Sequence, residues 1–154
     1  MRILLVEDNP AEARLTMEAL HEAGVEHELF TVGDGETATA YLHREAGFTD
    51  VARPDLIFLD LNLPRKKGCQ VLREIKGDPS LASIPVIVIT NSKAPEDIVE
   101  VYDLRANCYL VKPPDLEDFF TMMRRVVEFW WLTVRLPDNN GLLSPPEASN
   151  EDIP

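Results

Sequence analysis

Four short apolar runs, at residues 3–6, 56–59, 86–89 and 109–111, are rich in β-forming side chains and too short to be helices. They read as strands buried on both faces. A less apolar segment at 28–32 supplies a fifth, and stretches with helical spacing lie between them at 11–23, 35–44, 69–76 and 96–104, with another from 116 to about 132. Alternation of this kind predicts a parallel α/β sheet with helical crossovers. Local signals agree: Asp8-Asn9-Pro10 precedes the first helix, Gly24 follows it, and Pro95 opens the fourth.

With 154 residues the chain has material for one ordinary core, and the polar stretch from Pro137 onward reads as a loose tail that adds no second one. No apolar run approaches the roughly 18 residues needed to cross a membrane. The chain enters its first strand without an apolar leader or cleavage signal, so a cytoplasmic protein is expected. Fifteen basic against 27 acidic residues give a formal charge of −12, which opposes binding to a phosphate backbone and argues against a nucleic-acid partner. Cys69 and Cys108 stand outside any CxxC or zinc spacing and read as small buried thiols.

In an open α/β sheet, ligands bind outside the carboxyl ends of the strands. Four strands deliver polar groups to that edge: the first ends in Glu7-Asp8, the third in Asp60, the fourth in Thr90, and the fifth runs into Lys112-Pro113. Taken singly, each has an ordinary explanation. Glu7 and Asp8 could cap a helix, and Asp60 could begin the turn Leu61-Asn62-Leu63-Pro64. Taken together, three converging carboxylates repel one another unless a cation neutralises them, and Mg²⁺ suits an all-oxygen site that leaves room for a phosphate. Lys112 adds a compact ammonium able to pair with a carboxylate or with phosphoryl oxygens, and Thr90 adds a hydroxyl donor.

This constellation resembles the receiver domains of two-component response regulators over about residues 1–132. The resemblance rests on Leu4-Leu5-Val6-Glu7-Asp8, Leu59-Asp60-Leu61-Asn62-Leu63-Pro64 with Gly68, Val88-Ile89-Thr90, and Tyr109-Leu110-Val111-Lys112-Pro113. It implies a flavodoxin-like, doubly wound (βα)5 sheet of five parallel strands, with residues 133–154 forming a C-terminal arm and tail. It also implies that Asp60 is the phosphoacceptor, that Asp8 binds Mg²⁺ directly and Glu7 through water, and that Asn62 offers the metal its backbone carbonyl. Lys112 would contact the phosphoryl oxygens, Thr90 and Tyr109 would form a switch pair, and Lys112-Pro113 would be a cis peptide. Two positions depart from the family's usual pattern. Asn91 stands where a smaller residue is common and would narrow access, and Lys67 stands where an acidic residue is frequent.

On a helical wheel, Leu116, Phe119, Phe120, Met123, Val126, Val127 and Trp130 form the core stripe of the last helix, while Met122 and Phe129 extend it beyond the usual arc. Either the chain's own tail covers the excess or, with Trp131, it forms a homodimer interface. The segment from Trp130 to Pro137 and the insertion-like stretch 47–53 are similar to those of regulators that work with phytochrome kinases. This similarity implies a sensor histidine kinase of phytochrome type as the expected phosphodonor, and the fourth helix, fifth strand and fifth helix as the expected output face. No DNA-binding or catalytic output domain fits in the residues that remain. Two other Asp- or phosphate-using folds fit less well. A haloacid-dehalogenase-type phosphatase would need a second carboxylate where Asn62 stands, and a flavodoxin-like redox protein would not place Glu7-Asp8 at its phosphate loop. A degenerate receiver acting without phosphorylation is the remaining alternative.

Overall fold

The computed structural model describes residues 1–137; the tail expected from Pro137 onward lies, after that residue, outside the described part. Five strands, β1 (Arg2–Val6), β2 (Glu28–Val32), β3 (Leu56–Leu59), β4 (Val86–Thr90) and β5 (Cys108–Val111), pair in the order β2-β1-β3-β4-β5. Every pairing is parallel. Helices α1 (Pro10–Glu22), α2 (Gly35–Leu42), α3 (Gly68–Gly77), α4 (Pro95–Asp103) and α5 (Leu116–Val127) make the crossovers and the final layer. This is the flavodoxin-like fold expected from the apolar runs.

Strand residues alternate between two cores. Leu4, Val6, Ile57, Leu59, Val86 and Val88 pack with Ala38, Val71, Leu72, Ile75 and Val101 from α2, α3 and α4. Ile3, Leu5, Phe58, Ile87 and Ile89 pack with Leu20 of α1 and with Phe119, Met123 and Val126 of α5. Because both faces are covered, β1, β3 and β4 read as continuous apolar runs, whereas the edge strand β2 exposes Glu28 and Phe30. The insertion-like stretch is anchored where Phe48 meets the rings of Tyr41 and Phe30, with centroids at 5.4 and 6.0 Å.

The last helix departs from the wheel in two ways. Its first turn stands clear of the core, so Leu116, expected in the stripe, is exposed. Beyond Val127 the hydrogen bonding widens into a π-helical segment, Glu128–Thr133, which ends where the Val134 N–H donates to Phe129 O at 2.9 Å. Trp130 turns into the second core, and Trp131, Val134 and Leu136 lie against it. The chain's own arm thus covers part of the apolar excess. Met122 is half-buried, while Phe129 and Leu132 remain 53% and 76% exposed.

At the start of α3 the backbone passes so close to the end of β3 that a Cβ on Gly68 would lie 2.4 Å from the Asp60 carbonyl oxygen and 2.6 Å from Leu61 Cα. Only glycine fits there. At the other end of the same helix, a Cβ on Gly77 would meet nothing within 4 Å. Opposite outcomes follow for one chemical change: Gly68→Ala should lower stability by roughly 1–3 kcal/mol through overpacking, and Gly77→Ala should raise it by about 0.4–1 kcal/mol through the unfolded state. Urea midpoints of the two variants against wild type measure both.

Candidate functional site

Strand order reverses between β1 and β3, and the sheet's carboxyl edge opens a crevice there. Backbone pairing continues one residue past β1, β3 and β5 and fixes what projects into that crevice. The Glu7 N–H donates to Val32 O at 3.0 Å, Asp60 N–H to Val6 O at 3.0 Å, and Lys112 N–H to Thr90 O at 2.8 Å. The Lys112–Pro113 bond, expected cis, is trans, and the lysine reaches the crevice from that backbone. Neither Glu7 nor Asp8 caps α1. Asn9 does, its Oδ1 accepting from the N–H groups of Ala11 and Glu12 at 2.9 and 3.3 Å.

The centre of the site is the Lys112 ammonium. It donates to Glu7 Oε2 at 2.7 Å, to Asp60 Oδ2 at 2.9 Å, and to Glu12 Oε2 from α1. Glu7 and Asp60 are buried, and the second oxygen of each accepts a backbone N–H: Asn9 to Glu7 Oε1 at 3.1 Å, and Asn62 to Asp60 Oδ1 at 3.0 Å. Burial pushes Glu7 up to about 7, against the pull of the Lys112 hydrogen bond, and the nearby Asp60 charge adds to the rise. For Lys112 the strongest single influence is also burial, which disfavours the ammonium. The bonds to Glu12, Glu7 and Asp60 together outweigh it, so the lysine is held above its ordinary value.

Glu7, exposed Asp8 and buried Asp60 each offer a carboxylate oxygen, and these lie within 4.8 Å of one another. Such an all-oxygen set suits a hard divalent cation, and one ammonium does not balance the local charge. Asn62 follows two residues after Asp60, with its side chain exposed.

Thr90 is fully buried at the end of β4, and its Oγ1 accepts the Ser92 N–H at 3.3 Å. Half-buried Tyr109 donates its hydroxyl to Ser92 O at 2.9 Å. The two expected switch residues are therefore joined through one residue of the β4–α4 loop. Asn91 is exposed just after Thr90, with Nδ2 3.5 Å from Glu12 Oε1. Lys67 is an exposed residue just ahead of α3.

Glu12 was not anticipated. It reads as an ordinary acidic residue in the first turn of a helix. The signal available was its place in the first turn of α1, the helix that starts directly after the strand end carrying Glu7-Asp8.

The two cysteines are half-buried and free. Burial pushes Cys108 up to about 11, and burial followed by the Glu100 charge raises Cys69. Little thiolate is thus present at Cys108 near neutrality. At pH 8, iodoacetamide should modify Cys108 at least about tenfold more slowly in the native protein than in urea, as read by peptide mass mapping.

Comparison with known proteins bears on the fold and the family. Residues 3–124 match the response regulator receiver domain family. Response regulator Rcp1 of Synechocystis sp. is 46% identical over 135 residues, spanning 88% of this chain and 92% of that protein. The crystal structure of the phosphorylated cyanobacterial phytochrome response regulator RcpA superposes with a TM-score of 0.85 at 49% identity, covering 88% of this chain and 97% of its own. The Mn²⁺-bound form of Rcp1 gives a TM-score of 0.85 at 46% identity, covering 88% and 98%. With matching fold and sequence, the chain belongs to the response regulator receiver domain family.

Proposed function

We propose that this protein is a receiver switch in a two-component relay, taking a phosphoryl group from a sensor histidine kinase onto Asp60. The observation that carries the reading is the Lys112 ammonium, bonded at once to Asp60 and Glu7 in a buried crevice beside Asp8. In the transfer, an Asp60 Oδ attacks phosphorus, the P–N bond to the kinase histidine breaks, and the imidazole leaves with the electron pair. An acyl phosphate remains. Mg²⁺, held by Asp8, Asp60, Glu7 through water and the Asn62 backbone carbonyl, would supply neutralisation of the phosphoryl charge. Lys112 pairs with phosphoryl oxygens after transfer, which holds the group without spending a proton.

The new oxygens also attract the Thr90 hydroxyl. Drawing it in disturbs its bond from Ser92 and, through the Ser92 carbonyl, the Tyr109 hydroxyl, so the change reaches the outer face of α4, β5 and α5. The protein acts as a phosphoacceptor and catalyses only its own phosphorylation and dephosphorylation. A phytochrome-type kinase is the favoured donor, because RcpA is a phytochrome response regulator and the likeness to it spans most of both chains. Residues 1–132 form the receiver and 133–154 an extension. Exposed Phe129 and Leu132 support a homodimer through the C-terminal helix and arm, with Met122 and Trp131 at its margin. The net charge of −12 opposes binding to a nucleic-acid backbone, and the setting that fits the reading is the cytoplasm. Among the described residues no helix is long and apolar enough to cross a membrane.

Incubation with acetyl phosphate and Mg²⁺ should give a mass gain of one phosphoryl group that is labile to hydroxylamine, absent in Asp60→Asn and absent with EDTA. Persistence of the gain in Asp60→Asn would overturn the assignment. Replacing Phe129 and Leu132 together by lysine should halve the mass read by light scattering; an unchanged mass removes the proposed interface.

A further inference from the structure

An ammonium has three N–H donors, and at Lys112 three carboxylates take them: Glu7, Asp60 and Glu12. No donor is left for an incoming group. A phosphoryl oxygen can be engaged only if one carboxylate lets go, and the three are not equally able to do so. The Glu7 side chain is 4% exposed, with no water to take the place of the ammonium, and Asp60, 6% exposed, is the acceptor itself and stays in place through the transfer. The Glu12 side chain is 32% exposed, sits on a helix and not on the sheet, and can be rehydrated on release.

We propose that Glu12 is a positioning residue that occupies the phosphoryl group's place on Lys112 in the resting protein and is displaced when that group arrives. This rests on the phosphotransfer reading above. In the resting state Glu12 takes the third N–H of Lys112 and holds the ammonium in line with Asp60. Asn91, whose Nδ2 faces Glu12 Oε1 at 3.5 Å, receives the displaced carboxylate at the rim. Glu12 therefore competes with the phosphoryl group for the same donor, and its removal favours the occupied state.

Beryllofluoride, a tetrahedral mimic of an aspartyl phosphoryl group, tests this in the full chain with saturating Mg²⁺ by ¹⁹F NMR titration. Glu12→Gln keeps side-chain length and an uncharged oxygen near the helix N-terminus, and should tighten beryllofluoride binding about three- to tenfold, the scale of one half-exposed ion pair. In a Lys112→Ala background the same change should have little effect, since the competition is for Lys112. An acid serving only the helix terminus would lower the melting temperature of Glu12→Gln and leave affinity unchanged, and that result overturns the proposal. Equal tightening in both backgrounds also overturns it, because Glu12 would then act on the anion directly. Failure of the wild-type protein to bind beryllofluoride with Mg²⁺ would sink the phosphotransfer reading itself and this inference with it. Normal wild-type binding with no change in Glu12→Gln would sink only the inference.

Discussion

One ammonium among carboxylates governs this molecule. Burying Glu7 and Asp60 next to each other is unfavourable on two counts, lost hydration and mutual repulsion, and Lys112 offsets both by donating to each. The arrangement stays short of neutrality, with Asp8 and Glu12 adding further negative charge at the rim. A crevice left this negative attracts a second cation. That imbalance connects the acidic strand ends to divalent-ion chemistry, and it would be absent if any of these groups stood alone.

The sheet is what brings them together. Parallel strands all present their carboxyl ends to one edge, so residues far apart in sequence, such as Glu7 and Lys112, need only end their strands to meet. Hydrogen bonds that run one residue past β1, β3 and β5 then fix the direction of each side chain. The two packed cores supply the stiffness that holds the edge in register.

Much of this was legible in the residues. Continuous apolar runs marked strands covered on both faces, and the polar residue ending each run marked the site, because strand direction and edge are fixed by topology. What stayed hidden depended on rotation and on hydrogen-bond pattern. Whether Glu12 points to solvent or into the crevice depends on how α1 sits on the sheet, which its own sequence does not specify. The widening of the last helix at Glu128 is equally silent, since apolar spacing records which residues want burial and not which carbonyl an N–H selects. Exposure of Leu116 has the same origin: the wheel gives a face, while the point at which the helix first touches the core is a tertiary matter. The Ser92 link between Thr90 and Tyr109 involves a loop residue with no pattern at all.

The close contact at Gly68 has a mechanical consequence. With no space between α3 and the peptide of Asp60, the β3 side of the crevice behaves as an anvil: helix and strand end can only move as one body. Opposite it, the β4–α4 loop is tethered by a few hydrogen bonds to Ser92, and those can be exchanged without unpacking a core. Compliance is therefore lodged on one wall alone. A shift that begins at the crevice has a compliant path toward β5 and α4 and a stiff one toward α3.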